Sequence, residues 1–478
     1  MHRFKLYQKL FDRKNAYYED CRKAAEGFGP RPPGPFGLTG AVSGCHGLLT
    51  KYVEDAMAQG ARQVIPNSVL NDKVRDVVKD VYGDDWDAAA INTCEAALWV
   101  TYDVLFSPPL QGRGDVYRSR YIAPYERHMH HQAGYGRPFP PRYKDLYADR
   151  GVTAGELGFY GKRLTNLEVA IQPLAGARYE VHGFKQAAAV LLAAVNARAS
   201  QPLLARLAER HCGQLAGFAS LGYDTPGYGY AEKDAQGTPL LQKLIAELAR
   251  TYNVPYVVDN AWGTPFVGTD PRANGADVML YSMDKAAGAP TVGLIIGREE
   301  VMVPIRRALG IHGERSGNPT SHGKAAYVTN DPGKEALLGV IASLRFIKEH
   351  ADEFLRPLDE TLALVQAEFA ASTLPREIKD KMIITRSANS NTVEINYEQT
   401  GLPIFTIEDM YAGCNLIQEG WKAMGLIPTI GYDANIMLSP GLGTTNEDGS
   451  LIKDAMRFCA KAVMKSLELL HRYAEEAR

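Results

Sequence analysis

Two apolar runs in this chain end in residues able to do covalent chemistry. The run "NVPYVV" ends in Asp259, the run "DVMLYS" leads through Met283 and Asp284 to Lys285, and 26 residues separate the acid from the lysine. Lys285 is followed by Ala, Ala, Gly, Ala and Pro, small residues that leave space beside it. A lysine forms a Schiff base with an aldehyde, and a buried carboxylate keeps a pyridine nitrogen protonated so that its ring can withdraw electrons from a carbanion. A third element, a helix N-terminus with free backbone N–H groups for a phosphate, is offered upstream by "AAAINTCEAALWVTYDVLF", where Asn92, Thr93, Cys94 and Glu95 open a strongly helical run. Anion cradle, acid and lysine, in this order along the chain, are the parts that pyridoxal phosphate catalysis needs. Each part alone has a plainer reading: Asp259 and Lys285 as an ion pair, and Asn92 with Glu95 as a capping box.

These residues must be positioned by a sheet. From residue 61 to 330, helical stretches such as "EAALWVTYDVLF" and "LLQKLIAELARTY" alternate with short apolar runs such as "YVVD", "VMLYS" and "TVGLIIG". That alternation predicts an α/β fold with a doubly wound, mostly parallel sheet, whose ligands sit at the carboxyl ends of the strands. Residues 1–60 pass from charged, helix-compatible sequence into "GPRPPGPFGLTGAVSGCHG" and read as an arm or covering loop. Residues 331–478 read as a smaller α+β domain, with one helical stretch from "EALLGV" to "VQAEFA", strands near "KMIITRS" and "NTVEINY", and a closing helix.

The 478 residues carry a formal charge of −2, which gives no broad basic footprint for nucleic acid or an anionic membrane. Six cysteines lie far apart with no Cys-x-x-Cys pair, which fits a reducing cytoplasm better than a disulfide scaffold or a thiolate zinc site. The charged N-terminal segment lacks a signal-peptide pattern, and the longest apolar run, "AAAVLLAAV", is too short to span a bilayer.

On the strength of "GADVMLYSMDK" and the acid-to-lysine interval, residues 85–330 resemble the fold-type I pyridoxal phosphate enzymes, in particular the class V aminotransferase branch with its cysteine desulfurases. "DKAAGAPTVGLIIG" is similar to the equivalent stretch of bacterial selenocysteine synthase, and its "GAP" to threonine aldolases. The resemblance implies that Lys285 binds the cofactor covalently and that Asp259 partners its ring nitrogen. It implies a phosphate loop at Thr93, Cys94 and Glu95, with Ser282 a further phosphate ligand. Asn318 and Thr320 in "GERSGNPT" would reach into a neighbour's site, so that a homodimer with shared sites is expected. An aromatic ring over the cofactor would come from "RYIAPYERHMHHQAGYG", with His128 as the first choice and Tyr121 and Tyr125 nearby. A metal at His128, His130 and His131 is the alternative there, but the segment reads as loop, and no metal is expected.

Departures from the family narrow the expected activity. Nothing around Cys414 ("YAGCNLI") resembles the mobile catalytic cysteine loop of desulfurases. Where many relatives hold the substrate carboxylate with an arginine, "NIMLSPGLGTT" has Met437; Arg386 in "TRSANSN" is the substitute, balanced against a solvated strand-end arginine. Trp262 lines the same rim as Asp259 or packs in the core, and His46 in "SGCHG" reaches the site only if the arm folds over it. The expected function is pyridoxal phosphate-dependent lyase or transferase chemistry at the β-carbon of an amino-acid or amine substrate. Transamination, decarboxylation and aldol cleavage share its first steps. Selenocysteine-synthase-like action on aminoacyl-tRNA is a minority alternative, because "RRALGIHGERSG" is the best basic patch and it is small. A non-catalytic pyridoxal phosphate-binding protein is the rival from another class.

Overall fold

The computed structural model describes residues 3–39, 47, 49–106, 120–125, 169–171, 188–193, 197–222, 224, 232–310, 331–404, 416–428 and 435–478. His46, His128, Asn318 and Thr320 lie outside the described residues. The described residues divide into two units, one of residues up to 48 with those from 352 onward, the other of residues 49–351. These borders differ from the ones drawn at 60 and 330, and packing gives the reason. The first helices, α1 (Arg3–Asp12) and α2 (Lys14–Glu26), bury Leu6, Leu10, Tyr17 and Cys21 in the same core as the closing helix of the chain.

The unit of residues 49–351 begins with α3 (Lys51–Ala61) and α4 (Asn67–Tyr82) and then builds its sheet. Its strands are β1 (Trp86–Ile91), β2 (Arg120–Tyr125), β3 (Val169–Ile171), β4 (Ala188–Ala193), β5 (Leu215–Leu221), β6 (Tyr256–Asp259), β7 (Val278–Ser282) and β8 (Gly293–Arg298), in the spatial order β1-β8-β7-β6-β5-β2-β4-β3. Strands β8 and β3 run against their neighbours, and the others share one direction. Every residue of β1, β5, β6 and β7 is buried, which is why these strands read as continuous apolar runs and not as alternating ones. Between them lie α5 (Cys94–Phe106), α6 (Ala197–His211) and α7 (Leu240–Tyr252), followed by α8 (Glu299–Leu309) and α9 (Lys334–Glu349). Helix α7 shows the local logic: Leu241, Ile245, Ala246 and Ala249 are buried at helical spacing, and Asn253 ends the helix in the left-handed conformation at φ 50°. Helix α9 packs on α3 and α4, which accounts for the placement of residues 331–351 with this unit.

In the other unit, the helical stretch read as continuous breaks at His350 (φ −132°), where α9 gives way to α10 (Ala351–Ala371). Strands β9 (Ile383–Ser387), β10 (Thr392–Asn396) and β11 (Asn435–Leu438) form an antiparallel sheet in the order β11-β10-β9. With α11 (Leu416–Ala423) and α12 (Lys453–Ala477), the sheet buries Val393, Ile395, Ile436 and Leu438 against Trp421, Val463 and Leu467. The alternate residues Thr392, Glu394, Asn396 and Asn435 are polar and equally buried. They are joined by Asn396 Nδ2 to Asn435 Oδ1 (3.0 Å) and Ser390 Oγ to Glu394 Oε1 (3.3 Å). Among the described residues, no helix is long and apolar enough to cross a membrane.

Candidate active site

Register brings the expected residues to one rim of the large sheet. Ile91 at the end of β1 pairs with Gly293 at the start of β8, and Gly293 pairs with Ser282 at the end of β7. On the next strand Asp259 pairs with Leu280, and Leu221 at the end of β5 pairs with Asp259. The antiparallel β8 therefore starts where β1, β6 and β7 finish, so α5, Asp259 and Lys285 all leave the sheet at one edge, the edge where open α/β sheets bind ligands.

The turn that carries Lys285 is closed at its base by Met283 N–H donating to the Val292 carbonyl (2.9 Å), with Ala289 N–H to the Met283 carbonyl (3.1 Å) inside it. Lys285 N–H donates to the Ser282 carbonyl (3.1 Å) and its side chain is half-buried. Gly288 has φ +63°, a conformation that disfavours other residues, and a Cβ there would meet nothing within 4 Å. From α9, the Ser343 hydroxyl donates to the Ala287 carbonyl (2.6 Å). Within the turn, Asp284 accepts hydrogen bonds from Ser282 Oγ (2.6 Å) and Thr291 Oγ1 (3.2 Å). A lysine placed between a strand and a glycine turn is thus held on a short loop tied at both ends and braced from outside.

Asp259 is buried, its Oδ1 accepts from Ala261 N–H (3.1 Å), and its carbonyl accepts from Gly222 N–H (2.7 Å). Trp262 is buried in the turn that follows. At the start of α5 the cap is Thr93 and not Asn92: Thr93 Oγ1 accepts from Ala96 N–H (3.0 Å) and the Thr93 carbonyl from Ala97 N–H (3.0 Å). The side-chain oxygen of Asn92 is buried with no hydrogen-bond partner among the described residues. Gly293 lies so close beneath this helix start that a Cβ on it would stand 2.2 Å from the Thr93 carbonyl oxygen. Burial raises the Cys94 thiol far above its ordinary range, and Asp259 pushes it further; Lys285 opposes them, and Asp284 and Glu95 add to the rise. That pattern puts acid, lysine and helix start within electrostatic reach of one thiol.

Asn92, Thr93, Cys94, Glu95, Asp259, Ser282 and Lys285 are thereby brought to one rim. Arg386 belongs to the other unit, where its Nε lies 2.5 Å from Asp359 Oδ1, and Met437 is buried on β11 opposite Glu394. Sequence reasoning passed over Asp284, Thr291 and Ser343. Asp284 gave a signal, as an acid next to the lysine in a buried turn. Ser343, 56 residues from its partner, gave none. Among the described residues there is no group of three His, Cys, Asp or Glu side chains placed to hold a metal.

No family model matches the sequence, and no curated protein is similar to it. Among solved structures, the chain is similar to an omega-transaminase from Sphaerobacter thermophilus, at 14% identity over 88% of this chain and 83% of that one with a TM-score of 0.50. It is similar to pyridoxamine-pyruvate aminotransferase from Mesorhizobium loti, at 14% identity over 93% and 95% with a TM-score of 0.50. It is also similar to ureidoglycine-glyoxylate aminotransferase from Bacillus subtilis, at 11% identity over 94% and 100% with a TM-score of 0.50. Likeness at such identities speaks to architecture, and the architecture is that of a fold-type I transferase, with the mostly parallel α/β sheet that the sequence implies.

Proposed function

We propose that the chain is a pyridoxal phosphate-dependent enzyme acting on an amino-acid or amine substrate. The observation that carries the reading is the single rim holding a half-buried lysine, a buried carboxylate and a helix N-terminus. The residues fit the cofactor. The start of α5 turns the positive end of its helix dipole to the rim, with Thr93 Oγ1 holding the Ala96 N–H, and Gly288 leaves open space in the lysine turn. When bound, the cofactor supplies an electron-withdrawing ring that stabilises negative charge at the substrate α-carbon.

The roles of the chain's own groups follow from their positions. Lys285 Nζ holds the cofactor covalently in the resting enzyme and, once released, takes or returns the proton at the substrate α-carbon. Asp259, oriented by the Ala261 N–H, holds the proton on the ring nitrogen. The N-terminus of α5, with Asn92, Thr93, Cys94 and Glu95, receives the phosphate. Ser282 serves the phosphate indirectly, because its hydroxyl proton is directed to Asp284. Arg386 is assigned no direct part in catalysis, since Asp359 already engages its guanidinium.

Elimination or replacement at the β-carbon is the first reading of the reaction, resting on the likeness of "DKAAGAPTVGLIIG" to that branch. Transamination is the second, favoured by the named activities of the three structural neighbours. Product analysis separates them, since transamination requires a keto-acid acceptor and β-elimination releases a keto acid and ammonia without one. A homodimer is proposed as the assembly. The deciding experiment is the visible spectrum before and after borohydride, with peptide mapping of the reduced adduct. A bleached band with the label on Lys285, and a Lys285→Ala variant slowed by about 10²–10⁴-fold, are expected. A protein that takes up no pyridoxal phosphate, or a Lys285→Ala variant with full turnover, overturns the proposal.

A further inference from the structure

The residue after the acid has no part in the chemistry above, yet it is the more completely buried of the two: Asn260 has no exposed surface, Asp259 has 4%. A buried primary amide must find partners for its donors and its acceptor, and the surroundings of Asn260 are shaped to receive it. A Cβ on Gly222, just beyond β5, would stand 2.2 Å from Asn260 Oδ1, and a Cβ on Gly263, in the turn after β6, would stand 2.0 Å from Nδ2. Both positions must therefore lack a side chain for the amide to sit where it does. The phenol of Tyr281 on β7 donates to Met279 Sδ (3.8 Å), and burial raises it while the Asn260 side chain pulls it back. The backbone of Asn260 is fixed too, with its N–H donating to the Leu280 carbonyl (2.9 Å) and its carbonyl accepting from Gly263 N–H (2.6 Å).

One amide thus spans the ends of three neighbouring parallel strands, β5, β6 and β7, and it does so beside the carboxylate. The same backbone holds Asp259 through Gly222 N–H and Ala261 N–H. Any shift of residue 260 moves the peptide from which the acid projects. Resting on the function proposed above, we infer that Asn260 is a positioning residue for Asp259: wedged between Gly222 and Gly263 and bonded through its backbone to Leu280, it sets the strand-end spacing that lets the carboxylate keep the cofactor's ring nitrogen protonated. Asn260 touches neither substrate nor cofactor in this account. Asp259 acts on the Cys94 thiol and the Tyr102 phenol of α5, and Lys285, Asp284 and Glu95 act on the same thiol; all are unchanged in the variants below.

The test uses the full chain loaded with pyridoxal phosphate labelled with ¹⁵N in the ring, and follows the ring-nitrogen resonance with pH. In the wild type the nitrogen is expected to stay protonated across the range in which the protein is folded. In Asn260→Ala its midpoint is expected to fall by about one pH unit or more, a tenfold loss of proton affinity. Gly263→Ala, which evicts the amide sterically, is expected to do the same. Should Asn260→Ala not fold, Tyr281→Phe removes the phenol that acts on the amide, together with its bond to Met279 Sδ, and is expected to lower the midpoint by a smaller amount. Variants that melt earlier but keep the wild-type resonance and midpoint would show that Asn260 merely packs, and would overturn the inference. A wild-type protein that takes up no cofactor overturns the function itself, and is distinguishable because it fails before any variant is made.

Discussion

Gly293→Ala tests the cradle most directly. In the present backbone the new Cβ would stand 2.2 Å from the Thr93 carbonyl oxygen, 2.5 Å from its carbon and 2.7 Å from the Cys94 nitrogen. Heavy atoms pack at about 3.5 Å, so strand and helix start must part by about 1 Å, and neither side offers a flexible side chain to absorb the move. β8 is held by ladders to β1 and β7, so the first turn of α5 is the side that yields. Overpacking of this kind costs about 1–3 kcal/mol. A 1 Å misplacement of binding groups costs up to about 10²-fold, so affinity for pyridoxal phosphate is expected to fall about 10- to 100-fold. The assay is an absorbance titration of the cofactor-free protein with pyridoxal phosphate, with thermal melts of both proteins. Gly297→Ala at the other end of β8 is the control: its Cβ would meet the Asp277 carbonyl at 2.8 Å, and it is expected to lower the melting temperature while leaving cofactor affinity unchanged. Wild-type affinity in Gly293→Ala would refute the placement of the phosphate at the start of α5.

Ser282→Ala should leave cofactor affinity within about threefold of wild type while costing the turn about 1 kcal/mol, because the hydroxyl serves Asp284; a loss of tenfold or more in the same titration would make Ser282 a direct phosphate ligand. Ser343→Ala strands the buried Ala287 carbonyl and should cost about 1–3 kcal/mol in urea unfolding, with weaker cofactor retention; unchanged stability would remove α9 as the brace of the lysine turn. Burial raises the thiols of Cys94 and Cys459 and pushes Cys21 up to about 12. Their contribution to stability is therefore fully present below the unfolded thiol value of about 8.5 and fades as pH rises above it. Iodoacetamide should label the exposed Cys212 well before these three, and equal labelling of the folded protein would contradict their burial.

How far the site could be read in advance depended on what each residue needed. Asp259 and Lys285 were legible because a parallel strand buried on both faces prints an uninterrupted apolar run, and the first polar residue after it marks the rim. The start of α5 was legible to within one residue. The spacing of Asn92 and Glu95 suggested a capping box, whereas the Thr93 hydroxyl reaches Ala96 N–H; the two choices differ by one position in the same helix start. Asn260 and Gly222 were beyond reach because their relation exists only once β5 and β6 lie side by side, and no local pattern records a close approach between residues far apart in the chain. The borders drawn at 60 and 330 differ from those of the two units for a similar reason. Composition marks where the chain becomes rich in proline or charge, while the borders follow which core each helix buries its apolar face in, as α1 and α2 show. The buried polar face of β10 read as an ordinary strand, since alternation does not tell a solvated face from an enclosed one.

The reversed strand β8 also bears on how the site is assembled in time. β7 and β8 are joined by residues 283–292 alone and form a hairpin, with Ser282 pairing with Gly293. The pairing of β1 with β8 instead closes a span of about 200 residues. Loop-closure entropy favours the short connection, and long-range strand pairing comes slowly. The lysine turn is then native-like while the β1 end of the rim, where the phosphate is proposed to bind, is still missing. Pulse-labelled hydrogen exchange during refolding should find the β7 and β8 amides protected before those of β1, and simultaneous protection would contradict this order. On that sequence of events the refolding chain forms the lysine turn before the helix start proposed to hold the phosphate is in place, so on the proposed function cofactor retention is expected to come last.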